Sequence, residues 1–185
     1  MYILASKSPR RIELLKKIIK DFLIVPADID ETIYPIEEVS FQKGKKIADS
    51  FPNDIVISAD TIVKLSDTVY GKPTSKLDAF NILKSLSNKT HEVITYYTIM
   101  SINKNILINK KVISYVTFNN LDDQLINDYI ASNSPLDKAG AYGIQDNDRF
   151  PIIKNYQGSL DNIIGFPLEE IKNDLISLGL KIQPK

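Results

Sequence analysis

The chain has 185 residues, 43% apolar and 25% charged, with 23 basic residues against 23 acidic ones, a single histidine and no cysteine. Such a chain is long enough for one domain with a core of its own, and its neutral balance gives no support to bulk electrostatic binding of a nucleic-acid duplex or an anionic membrane. The lack of cysteine excludes disulfides, thiolate metal sites and cysteine nucleophiles, and with no run of transmembrane length and no signal-peptide core, a cytoplasmic location is expected.

The first stretch, residues 2 to 22, turns from a short apolar run into a basic, hydroxyl-rich turn and then into helix. Ser8 suits an N-cap and Pro9 the first helical position, and Ile12, Leu15, Ile19 and Phe22 recur at helical spacing. A strand-to-helix junction exposes unpaired N–H groups and the positive end of the helix dipole. Ser6, Ser8, Arg10 and Arg11 add hydroxyls and fixed positive charge there, a setting that suits phosphate. Residues 23 to 35 read as a short strand entering an acidic segment with Asp28, Asp30 and Glu31, and residues 37 to 51 as a helix bearing Lys43, Lys45 and Lys46, a cluster that is ordinarily a solvated face.

Residues 54 to 65 form an apolar run of the kind that a strand covered on both faces shows, interrupted by Ser58, Asp60 and Thr61. A carboxylate inside such a run is costly unless it is paired or put to use, so Asp60 is a candidate site residue. A turn at Ser66-Asp67 returns the chain along residues 68 to 73 as a hairpin, and Ser75 with Asp78 begins a helix carrying Leu77, Ile82, Leu83 and Leu86. Residues 91 to 102 and 106 to 118 are two long β runs flanking Asn103-Lys104-Asn105, the clearest hairpin in the chain. With no second histidine to share a metal, His91 is expected to make structural hydrogen bonds. A helix capped by Asn120 or Asp123 follows, then an aperiodic loop over 136 to 145 of the kind that forms around a ligand, a short strand at 150 to 153, a glycine-punctuated turn over 157 to 166, and a last helix from Pro167 to Gly179. No repeat or linker is evident.

In order, SKSPRR (6–11), DET (30–32), SADT (58–61), GKP (71–73), SLSNKTHEV (85–93), PLDKAGAYGIQ (135–145) and GSLDNIIGFPL (158–168) resemble the Maf family of nucleoside triphosphate pyrophosphatases. The resemblance covers nearly the whole chain, and the DKAGAYGIQ block is similar to that of the dTTP/UTP pyrophosphatase branch. It implies one Maf-like domain over residues 1–185 with an α/β fold, in which an elongated mixed β-sheet is flanked by helices and two lobes enclose a central cleft. It also implies a Mg²⁺ or Mn²⁺ cofactor, hydrolysis of dTTP, UTP and modified pyrimidine triphosphates to the monophosphate and pyrophosphate, and a homodimer.

By position, the resemblance makes Asp60 the proton acceptor and, with Glu31, a metal ligand. Arg10, Thr61 and Gln145 become substrate-selecting residues, and Ser6, Arg11, Lys45 and Lys72 phosphate-binding ones. Lys46 departs from the pattern, standing where a small residue is usual. The chemistry needs no nucleophilic side chain: water attacks, and a triphosphate asks mainly for positioning and charge neutralisation. Two alternatives differ in class or substrate: a non-catalytic nucleotide-binding regulator of septum formation, which would have no need of a base, and a 7-methyl-GTP pyrophosphatase. A nucleic-acid-binding module is disfavoured by the neutral charge.

Overall fold

The computed structural model describes residues 1–183. The N-terminal apolar run forms β1 (Tyr2–Leu4), followed by α1 (Pro9–Lys16), β2 (Leu23–Ile24) and α2 (Ile36–Ser50). The long apolar run is β3 (Ile55–Leu65), which turns back as β4 (Thr68–Tyr70) before α3 (Lys76–Leu86). The two predicted β runs are β5 (Thr90–Ser101) and β6 (Ile106–Phe118), and α4 (Asp123–Ala131), β7 (Ile153–Gln157), α5 (Leu160–Ile164) and α6 (Leu168–Ser177) complete the order. Among the described residues, seven strands form one mixed sheet in the order β2-β1-β3-β5-β6-β7, with β4 paired to β3.

The residues group into two bodies. The first holds residues 1–60, 95–112 and those from 165 onward; the second holds 61–94 and 113–164. In the first, β1 pairs in parallel with both β2 and β3, with Ile3 opposite Leu23 and Val56. Parallel pairing needs both faces covered, which is why β1 and the Ile55–Ile57 stretch of β3 paired with it are apolar throughout. Ile3, Ala5, Val56 and Met100 pack there with Ile47 and Ala48 of α2. In the second body, β4 returns antiparallel on β3 and β7 on β6, and the core gathers Leu83, Leu86, Val116, Phe118, Ile126 and Tyr129.

Several boundaries differ from the reading of the sequence. α1 ends at Lys16 instead of continuing to Phe22, because the chain tightens after Leu15 and Ile19 bridges to Gln183; Ile18 and Ile19 remain buried beyond the helix end. The cap of α4 is Asp122, whose carboxylate accepts from the Leu125 N–H at 2.8 Å. Leu77 is 70% exposed, outside the buried stripe of α3. The turn over 157 to 166 contains the short helix α5, and the strand expected at 150 to 153 begins at its last residue.

Candidate active site

In the first body, three short segments converge on the end of the N-terminal turn. Ser6 Oγ accepts from the Ser8 N–H at 3.2 Å, so its own side chain shapes the turn, while Ser8 occupies the N-cap position without a side-chain bond. Arg11, in the first turn of α1, reaches back across it. Its Nε donates to the Gly165 carbonyl at 2.9 Å and one terminal nitrogen donates to the Ala59 carbonyl at 2.8 Å. The arginine is thereby fixed one residue from Asp60. Burial pushes the Arg11 guanidinium below its ordinary range, and the nearby Asp60 charge opposes that shift.

Asp60 lies on β3 with its side chain 17% exposed. Burial raises its carboxyl above the usual carboxylate range, Lys43 and Arg11 pull it back down, and Glu31 adds to the rise. Glu31 opens a single 3₁₀ turn, Glu31–Ile33, that is capped by Asp30, whose carboxylate accepts from the Thr32 N–H at 3.0 Å. The cation between the two acids is Lys43. Its ammonium stands 2.5 Å from Glu31 Oε1 and 3.4 Å from Asp60 Oδ1, with the side chain only 13% exposed.

Lys45, expected at the phosphates, does not join the Glu31–Lys43–Asp60 group. It is half exposed and pairs with Asp49 one turn along α2 at 2.7 Å. The reason is helical phase. Val39, Ser40, Gly44, Ile47 and Ala48 form the buried face of α2; at 3.6 residues per turn Lys43 falls inside that arc and Lys45 opposite it. A lysine four residues from both Val39 and Ile47 was the signal that could have singled it out. Lys46 is exposed too, donating to the Asp28 carbonyl.

Thr61, Lys72 and Gln145 belong to the second body. Lys72 is exposed in the loop after β4, where the Gly71 carbonyl accepts from the Gly140 N–H at 3.1 Å, joining the GKP and DKAGA segments. The loop that bears Gln145 is three 3₁₀ turns, Ser134–Asp137, Ala139–Ala141 and Ile144–Asp146. Gly140 and Ala141 both have positive φ, 70° and 60°, and a Cβ on Gly140 would lie 2.7 Å from Val63. A buried alanine in the left-handed region is strained, and it persists only where its surroundings hold it.

Here the holding groups are explicit. The Tyr129 hydroxyl accepts from the Gly143 N–H at 2.9 Å and donates to Asp146 Oδ2 at 2.6 Å, while Ser134 Oγ donates to the same oxygen at 2.7 Å. Lys138, 11% exposed, donates to the Ser134 carbonyl, to Ser134 Oγ and to Asp137. Gln145 is exposed on a turn fixed at both ends. His91 is buried nearby in the same body, bonded through Nε2 to the Tyr142 hydroxyl at 2.7 Å and set edge-on to Phe118.

Among the described residues, no three His, Cys, Asp or Glu side chains gather as a metal cluster. Glu31 and Asp60 offer two carboxylates, a donor set that suits a hard divalent cation taking its other oxygens from phosphate and water. No helix among the described residues is long and apolar enough to cross a membrane.

A mixed α/β sheet here carries an arginine-clamped turn beside two carboxylates and a lysine. Residues 1–178 match the family described as Maf-like protein, and the chain belongs to that family. It is 41% identical to a dTTP/UTP pyrophosphatase of Fusobacterium nucleatum, over 97% of this chain and 96% of that one. It is 38% identical to one of Ruminiclostridium cellulolyticum over 97% of each chain, and 40% identical to one of Thermosipho africanus over 96% of this chain and 93% of that one.

Proposed function

We propose that the chain is a cytoplasmic nucleoside triphosphate pyrophosphatase that acts as one functional unit, cleaving dTTP and UTP to the monophosphate and pyrophosphate. The observation that carries this reading is Lys43 held between Glu31 and Asp60. A binding protein for a polyanion has no use for two carboxylates that repel the ligand, whereas a hydrolase needs one to receive a proton from water. The near-full-length similarity to three proteins named dTTP/UTP pyrophosphatase supports the choice of substrate.

In this reading Ser6, Arg10, Arg11 and Lys72 bind phosphate oxygens through charge-assisted bonds. Asp60 orients the attacking water and takes its proton; the water oxygen bonds to the α-phosphorus, and the bond from that phosphorus to the bridging oxygen breaks, releasing pyrophosphate. Lys43 pulls the Asp60 carboxyl down against the rise that burial causes. Mg²⁺ or Mn²⁺, held by Glu31 and Asp60, would neutralise charge on the triphosphate. Gln145 presents one acceptor and two donors, which match the O4 and N3–H edge of thymine or uracil, and Thr61 supports that selection. Cytosine and purine bases present another edge and leave buried groups unpaired.

The test is pyrophosphate release from dTTP, UTP, CTP, GTP and 7-methyl-GTP with Mg²⁺ or Mn²⁺. Turnover confined to dTTP and UTP supports the proposal. Equal rates on all of them, or a preference for 7-methyl-GTP, would defeat the assignment of Gln145, and no turnover at all would defeat the enzyme.

A further inference from the structure

We infer that Gly44 and Ser58 are positioning residues whose contact sets the distance between Lys43 and Asp60, and so sets turnover; this rests on the reading of Lys43 and Asp60 given above. Ser58 lies two residues before Asp60 on β3, so both side chains leave the same face of the strand. Gly44 follows Lys43 on α2. A Cβ built on Gly44 would stand 2.7 Å from Ser58 Oγ, closer than non-bonded atoms approach, and 3.6 Å from the Ser58 Cβ and the Met100 Cε. Helix α2 therefore rests on β3 at the one place where it has no side chain.

The Ser58 hydroxyl cannot simply swing aside. It donates to the Ser40 carbonyl at 2.7 Å, and Ser40 Oγ lies 3.2 Å from Thr98 Oγ1, which donates to Asn109 Oδ1 at 2.9 Å. Ser40, Ser58 and Thr98 are all fully buried. A rotated hydroxyl would give up its bond to the Ser40 carbonyl inside a fully buried site, so a methyl at position 44 displaces the helix instead, and Lys43 moves with it. Alanine favours helix over glycine, so if the Ser58 hydroxyl gave way freely the Gly44→Ala change would be harmless or stabilising, and if Gly44 served packing alone the change would lower stability but leave the kcat of the folded protein unchanged. A positioning role makes it slow, because a misplacement of about 1 Å in a catalytic constellation can cost as much as ~100-fold.

The experiment compares Gly44→Ala, Ser58→Ala and the double variant in a pyrophosphate-release assay on dTTP, with the folded fraction followed by circular dichroism. Gly44→Ala is expected to lower kcat by ~10-fold or more with KM within about threefold, and the double variant to return to within about threefold of the parent. The double exchange moves one heavy atom from position 58 to position 44 and leaves the two Cβ atoms at an ordinary 3.6 Å. Parental kcat in Gly44→Ala, or a double variant no faster than Gly44→Ala, overturns the inference. If Gly44→Ala does not fold, the comparison passes to Ser58→Ala, which should lose about threefold or more in kcat and regain it in the double variant, where the methyl added at position 44 fills the gap; equal rates overturn the inference as well. Lys43→Met and Asp60→Asn run in the same assay separate the two levels. If they retain parental rates, the assignment of the site fails; if they are inactive while position 44 tolerates alanine without loss, only the positioning fails.

Discussion

Lys43 and Lys138 are nearly equally buried, with side chains 13% and 11% exposed, yet their surroundings differ in kind. Lys138 gives its three protons to three acceptors within 3.1 Å, all from Ser134 and Asp137, and the loop closes on itself. Lys43 faces two carboxylates, one of which is held above its normal pKa by burial. The difference separates two uses of a buried charge. The Lys43 set leaves a carboxylate under-compensated and available, at some cost in stability; the Lys138 set spends its buried charge on fixing a backbone shape that leaves Gln145 exposed.

The comparison is broken most severely at Asp60. Replacing it with Asn should lower hydrolysis by about 100-fold or more, as losses of a general base do, without unfolding the protein. The sign of the stability effect follows from linkage. A carboxyl raised on folding contributes stability below its unfolded pKa and loses that contribution as pH rises through the folded value, so at neutral pH the charged Asp60 is a burden. The variant should therefore melt at the parental temperature or slightly above it at pH 7. Normal turnover in Asp60→Asn would remove the catalytic assignment, and an unfolded variant would make Asp60 structural.

His91 provides the opposite sign in the second body. Burial lowers it from 6.5 to about 4, so its contribution is in place above pH 6.5 and is lost as pH falls toward 4. At about 1.4 kcal/mol per pKa unit, roughly 3 kcal/mol should disappear over that window. Urea melts at pH 7 and pH 4.5 measure the loss, and His91→Phe should flatten it; an identical pH slope in the variant would assign the loss to other groups.

A smaller effect is expected at Tyr129, 1% exposed and bonded to both Gly143 and Asp146. Tyr129→Phe keeps the ring in the core but leaves the part-buried Gly143 N–H without its acceptor, at about 1 kcal/mol. If the network serves Gln145, discrimination between dTTP and CTP should narrow while kcat on dTTP changes less. Loss of stability with selectivity intact would confine Tyr129 to the fold.

What the sequence disclosed was local. The Ser8-Pro9 start of α1, the carboxylate in β3, the β3–β4 return and the aperiodic loop before Gln145 are each written within a stretch of ten or so residues. The partners were not: His91 meets Tyr142 51 residues later, Tyr129 meets Asp146 across three turns, and Arg11 bonds to Gly165. Nothing in a one-dimensional pattern pairs such residues. Arg11 also ties distant segments together, since the carbonyls of Ala59 and Gly165 both accept from it. The lysine was different, because its phase on α2 was available. Position counting along the family's motifs pointed to Lys45 and made Lys46 look anomalous; with Lys43 in that role the residue that follows is Gly44, a small one.

The smallest effect should be at Lys45 itself. Its partner Asp49 lies one turn further along α2, and the two side chains are 51% and 53% exposed. Exposed pairs at this spacing contribute about 0.3–0.5 kcal/mol and fade with salt, because water already solvates both charges and ordering two long side chains offsets the attraction. Lys45→Ala also trades one good helix former for a better one. The variant should therefore keep its melting temperature to within a degree or two and its kcat and KM on dTTP within about twofold. Lys43→Ala, only two residues earlier, should lose activity by a factor approaching that of Asp60→Asn, since it removes the ammonium that contacts both Glu31 and Asp60. Kinetics of the two alanine variants measured side by side, at low and high salt, decide the matter. A strong loss at Lys45 with a mild one at Lys43 would mean that the side chain touching substrate is the one now seen pointing at Asp49, and that α2 turns about its axis when nucleotide binds.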